Sequence, residues 1–140
     1  MVVRPRADTD DQALVALADR ERLGGYPPPG VDLSIEPGWI GSWVAEDDGA
    51  LVGHVALRTE ISDSVSRHAA AILGIDEDQL AVIKRLLVTA DHRGHGIGRQ
   101  LLDIAVGHAT RAGLVPILDT WIESPDSMHF WAFTMDEGAR

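Results

Sequence analysis

The apolar positions of this chain change period along its length, and each change predicts an element. Val2 to Arg6 is short and partly β-branched, and reads as a first strand. Thr9 or Asp10 then caps a helix on which Ala13, Leu14, Leu17 and Ala18 recur at helical spacing as far as Leu23, where Gly24-Gly25 stops it. Trp39 to Glu46 and Leu51 to Thr59 are strand-like runs on either side of Asp47-Asp48-Gly49-Ala50, a turn signal that predicts a β-hairpin. Ile61 to Leu73 is ambiguous by period, with Ala69-Ala70-Ala71 favouring a helix closed by Gly74. Leu80 to Val88 is rich in branched apolar residues and predicts a buried strand interrupted by Lys84-Arg85. From Ile97, the positions Leu101, Ile104, Ala105, His108, Ala109 and Ala112 share one stripe that Arg99, Asp103 and Arg111 avoid, the pattern of a helix ended by Gly113. Val115 to Ile122 predicts another strand. Ser124 or Asp126 is placed to cap a last helix through Met128, Trp131, Ala132 and Met135.

Hairpins combined with a strand–helix–strand crossover imply an α+β fold: a mixed, mostly antiparallel twisted sheet flanked by helices. With 140 residues, the chain is expected to form one domain, 1–140. Gly24 to Gly38, with Pro27-Pro28-Pro29 and Pro37, is a stiff connector or a cover over a cleft.

Charge and composition remove several classes of function. Twelve Lys and Arg against 22 Asp and Glu give a formal charge of −10, which opposes nucleic-acid binding, because phosphate contacts need clustered cations. Cysteine is absent, so disulfides, thiolate zinc sites and a cysteine nucleophile go together. No apolar run, Ala69 to Leu73 included, approaches the ~20 residues that cross a bilayer, and the first residues lack the apolar core of a secretory signal. No membrane association and a cytoplasmic location are the expectations.

One stretch carries chemistry: Leu86-Leu87-Val88-Thr89-Ala90-Asp91-His92-Arg93-Gly94-His95-Gly96-Ile97-Gly98-Arg99 leads a buried strand through a glycine-dense turn into a strong helix. Glycines at alternate positions leave the backbone N–H groups unobstructed, and a helix N-terminus adds about half a positive charge. Such a turn binds anions. The dinucleotide fingerprint fails on spacing because Arg99 stands where its last glycine would fall, and no Gly-Lys-Ser/Thr follows. Lys84, Arg85, Arg93 and Arg99 against Asp91 alone make the stretch locally basic within an acidic chain. His92 and His95 lie three apart beside Asp91, but a turn frames metal ligands poorly and no further His is near, so no metal is expected.

Arg93, Gly96 and Gly98 match Arg/Gln-x-x-Gly-x-Gly/Ala, preceded by Ile83-Lys84-Arg85-Leu86-Leu87-Val88 and followed by Leu101-Leu102. This resembles the GNAT superfamily of N-acetyltransferases, over about Val2 to Ile122. The resemblance implies acetyl-coenzyme A (acetyl-CoA) as cosubstrate. The strand residues Leu86, Leu87 and Val88 would meet the pantetheine arm, and Arg93, Gly94, His95, Gly96, Ile97, Gly98 and Arg99 would hold the diphosphate. It also implies acetyl transfer by direct attack of a primary amine, of a small molecule or a protein, on the thioester.

Many relatives carry Glu where this chain has Val82, and a Tyr where it has Phe130 and Trp131; Tyr26, its only Tyr, lies in the proline segment. The replacement candidates for the base are His54 and Glu46, with Glu123 after the last strand a further one. A non-catalytic acyl-CoA-binding sensor or interaction module is the alternative that these departures leave open. Only 18 residues, Glu123 to Arg140, follow the last predicted strand, fewer than relatives use to close the acceptor side. The expectation is a shortened C-terminal part. Its apolar cluster of Met128, Phe130, Trp131, Phe133 and Met135 would cover the sheet edge or pack in a homodimer.

Overall fold

The computed structural model describes residues 1–22, 39–59, 64–120 and 129–132. Its elements follow in the order β1 (Val2–Pro5), α1 (Asp11–Arg22), β2 (Trp39–Asp47), β3 (Ala50–Arg58), α2 (Ser64–Leu73), β4 (Leu80–Val88), α3 (Ile97–Arg111), β5 (Val115–Thr120) and β6 (His129–Ala132). The proline segment Gly24 to Gly38, residues 60–63, and Ile122 to Met128 lie outside the described residues.

The strands form one sheet in sequential order, β1 to β6. Every pairing is antiparallel except β4 with β5, whose parallel alignment is made by the crossover through α3. The predicted hairpin turns tightly at Asp48 and Gly49, with φ of 50° and 80°, the left-handed pair that a two-residue turn requires.

Alternation along the strands divides the core between two faces. On one, Trp43, Val55, Leu57 and Ile83 pack against Ile97, Leu101, Ala105 and Ala109 of α3. On the other, α1 covers one end of the sheet, with Leu14, Leu17 and Ala18 on Val44, Leu51 and Leu87. α2 covers the other end, with Ala69 and Ala70 on Leu80, Val82 and Ile117. The middle of that face, between α1 and α2, carries polar residues.

Two expectations are corrected. Asp10 lies in a short 3-10 turn before α1, where its carboxylate accepts from the Ala7 N–H at 2.7 Å and from both terminal nitrogens of Arg4 at 2.8 Å. The Arg4 guanidinium holds its pKa at about 2. The predicted last helix is instead strand β6 over His129–Ala132, paired with β5 from Ile117↔Ala132 to Thr120↔His129. The aromatic residues Phe130 and Trp131 favour a strand once an open edge is available. β6 thus covers the outer edge of β5 from Ile117 to Thr120, the edge that the apolar C-terminal cluster was expected to cover. No helix of the described residues is long and apolar enough to cross a membrane.

Candidate functional site

β4 and β5 pair over four positions only, Leu80↔Val115 to Ile83↔Leu118. β4 then runs on to Val88, while β5 turns its other edge to β6. From Lys84 onward, this edge of β4 has no neighbouring strand among the described residues, so its backbone groups are open to a ligand that pairs as a strand would.

The gap coincides with a β-bulge. His54 faces Leu87 and Ala56 faces Lys84, so Arg85 and Leu86 together oppose one residue of β3. Arg85 takes φ of 57°, a left-handed conformation that costs a side-chain-bearing residue roughly 1–2 kcal/mol. His54, fully buried, supports the bulge: its Nδ1–H donates to the Arg85 carbonyl at 3.0 Å. Nε2 is therefore the acceptor, receiving the Ser42 hydroxyl at 2.9 Å and facing Arg6 Nη1 at 3.5 Å. Burial lowers the His54 pKa to about 4, opposed by the Arg85 carbonyl bond and reinforced by the charges of Arg6 and Arg85.

Beyond Val88 the chain enters the glycine turn. Gly94 and Gly96 both sit at positive φ, 82° and 80°, and a Cβ on either would meet nothing within 4 Å. The left-handed backbone, not crowding, demands glycine there. Gly96 is the N-cap of α3, and with no acidic residue in the first turn its N–H groups and dipole face a concave surface of about 270 Å³, lined by Val88, Arg93, Gly94, Gly96, Gly98 and Arg99 among others. A Cβ at Gly98 would lie 3.5 Å from Val88 Cγ2, an ordinary van der Waals contact, so the packing of α3 on β4 does not itself require glycine there. Arg93 Nε donates to the Val88 carbonyl at 3.2 Å, which places its guanidinium at the end of the strand. An open strand edge leading into an unobstructed cationic cradle fits a long ligand with an extended amide arm and a diphosphate, as coenzyme A has.

The turn is anchored by a chain of side chains. The Thr89 hydroxyl lies 2.9 Å from His92 Nδ1, and His92 Nε2 lies 3.2 Å from the Asp47 carboxylate at the β2–β3 turn. The carboxylate can only accept, so Nε2 carries the proton and Nδ1 accepts from Thr89. His95 Nδ1 bonds the His92 carbonyl at 3.2 Å. Among the described residues, no group of three or more His, Cys, Asp or Glu is arranged to hold a metal ion.

Of the predicted coenzyme residues, Val88, Arg93, Gly94, Gly96, Ile97, Gly98 and Arg99 line this one surface; Leu86 and Leu87 lie on the strand leading to it, the Leu87 side chain buried against α1, and His95 lines the neighbouring depression with Asp47. The two candidate bases are not together. Glu46 lies on β2 in an ion cluster, accepting from Arg4 Nε at 3.3 Å, two strands from β4. His54 adjoins β4, but both ring nitrogens are engaged and none of its surface meets solvent. Val82 is also buried, packed against α2. Glu123 lies outside the described residues. Sequence reasoning missed two groupings: the Thr89–His92–Asp47 chain, and the stacking of Arg58 and Arg85 on Trp39, with guanidinium carbons 5.4 and 4.8 Å from the ring centroid. The only sequence signal for the second was a cationic pair breaking the apolar run of β4.

The sequence matches the family model for Acetyltransferase (GNAT) over residues 12–134. No curated protein matches it. Among solved structures, it resembles a GNAT family acetyltransferase from Staphylococcus aureus with a TM-score of 0.62 at 15% identity, covering 85% of this chain and 73% of that one. A GNAT family acetyltransferase from Brucella melitensis, in complex with acetyl-CoA, aligns with a TM-score of 0.58 at 17% identity over 95% of this chain and 88% of its own. The ribosomal-protein-S18-alanine N-acetyltransferase of Escherichia coli gives 0.58 at 12% identity, over 90% and 70%.

Proposed function

The chain belongs to the acetyltransferase (GNAT) family, and from that premise we propose that it transfers an acetyl group from acetyl-CoA to a primary amine by direct attack within a ternary complex. The observation that carries this reading is the free edge of β4 running straight into the glycine cradle at the start of α3. The pantetheine arm pairs along Leu86 to Val88, and the diphosphate is held by the N–H groups and cations between Arg93 and Arg99. The thioester then lies where β5 leaves β4. Edge N–H groups of β4 polarise its carbonyl, a term of the kind that stabilises oxyanions.

The amine nitrogen forms the new C–N bond as the C–S bond breaks, and the electron pair leaves with sulfur. The surplus proton of the amine passes to water, and the thiolate is reprotonated from solvent. His54 acts through the bulge as a positioning residue, because both of its ring nitrogens are engaged, and Glu46 lies two strands from β4, away from the thioester. The acceptor is a small-molecule or protein amine.

Burial of both Val82 and His54 favours a second reading, a domain that binds acyl-CoA without turnover. Thiol release from acetyl-CoA across a panel of amines, run beside a calorimetric titration of coenzyme A, separates the two. Binding with release supports transfer, binding alone supports the sensor, and absence of binding overturns both.

A further inference from the structure

We propose that His92 is a further coenzyme-binding residue, whose imidazole takes up a proton as the diphosphate of coenzyme A enters the glycine cradle, so that coenzyme and proton strengthen each other's binding. This rests on the coenzyme reading of the cradle and adds to it a residue outside the Arg93 to Arg99 turn.

The imidazole is fixed from two sides. Thr89 precedes the single 3-10 turn Ala90–His92, where a spacing of three residues brings side chains to one face. The His92 N–H donates to the Thr89 carbonyl at 3.0 Å, and the Thr89 N–H to the Val52 carbonyl at 2.9 Å, which ties the turn to β3. The ring itself bonds the hydroxyl of the buried Thr89 through Nδ1 and the Asp47 carboxylate through Nε2. It remains one-third exposed, and it lines the same concave surface as Gly96, Gly98 and Arg99. A phosphate held by the N–H groups at the start of α3 therefore lies beside it.

These partners accept either charge state of the ring. In the neutral form Nε2–H donates to Asp47 and Nδ1 accepts from Thr89. A proton from water on Nδ1 requires only that the Thr89 hydroxyl rotate from donor to acceptor, so both bonds survive and the Asp47 carboxylate faces the imidazolium. His54 is the contrast: it is fully buried, and burial together with the charges of Arg6 and Arg85 lowers its pKa to about 4. The other groups around His92 are Asp91 and His95, which share a depression with it and Asp47, Arg20 of α1 in a second depression, and Arg93 and Arg99 in the cradle. The Met1 amino group lies 3.9 Å from the other oxygen of Asp47. Arginine keeps its charge at every working pH, whereas imidazoles and amino groups change charge near neutrality, so the test has to separate His92 from His95 and Met1. His92 alone of these is held between a carboxylate and a reversible hydroxyl; His95 donates from Nδ1 to the His92 carbonyl. A dianion beside His92 favours its charged form, and by linkage the charged form binds the dianion more tightly.

The test uses the whole chain and dephospho-coenzyme A, whose diphosphate keeps its charge near neutrality, whereas the monoester phosphate of coenzyme A titrates there itself. Calorimetric titrations at about pH 7 in MOPS and in Tris, which differ in ionisation enthalpy, read the protons taken up on binding. The expected result is uptake by the parent and by His95→Gln, and none by His92→Gln. Between about pH 8 and about pH 6 the affinity of the parent rises roughly fivefold or more, while the ratio for His92→Gln stays close to one. Circular dichroism monitors folding. The imidazole Cε1–H resonances of the parent, followed with and without ligand, identify the ring that takes the proton even if His92→Gln is unstable. Binding without proton uptake, uptake that persists in His92→Gln, or a proton that settles on His95 would overturn the proposal. Absence of binding at any pH instead counts against the cradle as the coenzyme site, and this inference falls with it.

Discussion

Two neighbouring halves of this region are built from different material. The half proposed for coenzyme A, Leu86 to Arg99, is made of backbone: a strand edge with no neighbour among the described residues, two left-handed glycines and a helix N-terminus, all contiguous in the chain. The bulge region beside it is made of side chains from three strands, Trp39, His54, Arg58 and Arg85, held by stacking and buried hydrogen bonds. A backbone site tolerates changes in most side chains and fails where a side chain or charge enters the cradle. A side-chain site fails residue by residue.

The largest expected effect tests the first half. Gly96→Asp places a carboxylate in the cradle, where repulsion of phosphate is worth about 1–4 kcal/mol at ~4 Å, depending on the effective dielectric. Coenzyme A affinity should fall at least severalfold by calorimetry, with circular dichroism unchanged because Asp tolerates the left-handed region better than most residues. Gly96→Ala, adding bulk without charge, separates strain from electrostatics, and equal losses in the two variants would show that charge is not what the cradle reads.

Next comes the buried imidazole of the second half. The His54 pKa lies at about 4 in the folded chain, against the ordinary 6.5 of an unfolded one. Between those values the unfolded state binds the extra proton. Stability from this group is therefore complete above pH 6.5 and is lost as pH falls towards 4, by up to about 3 kcal/mol. Chemical denaturation across that window should show the slope in the parent and a smaller one in His54→Gln. Parallel curves would mean that the imidazole is accessible to protons in the folded chain.

A smaller effect is expected at the bulge. Arg85→Gly relieves about 1–2 kcal/mol of left-handed strain and forfeits a cation–π contact of about 0.5–1 kcal/mol together with some backbone entropy. The thermal midpoint should move little. A large fall in the midpoint would show that Arg85 holds the fold together.

The smallest joins the halves at their scaffold. Asp47→Asn weakens the anchor through His92 to Thr89, a partly exposed contact worth under about 1 kcal/mol. Coenzyme A affinity should drop by no more than a few fold, and less in high salt. A loss as large as that of Gly96→Asp would move the anchor into the binding surface itself.

Local pattern alone determined most of the elements and the glycine turn proposed to hold coenzyme A. The period of Ile97 to Ala112 made α3, Asp48-Gly49 made the hairpin turn, and the glycines before α3 marked the cradle, because backbone conformation and helix dipoles are properties of neighbouring residues. Tertiary structure decided the rest. His129 to Ala132 became a strand because β5 offered an unpaired edge, a long-range partner that outweighs local helix spacing. His54 carries the right intrinsic pKa for a base, yet burial against Ser42 and the Arg85 carbonyl turned it into a brace for the bulge. Trp39, Arg58 and Arg85 lie up to 46 residues apart, and only the register of β2, β3 and β4 brings two guanidiniums to one ring. Desolvation and charge proximity depend on which strands are neighbours, and that is settled by the packing of the whole sheet between its helices.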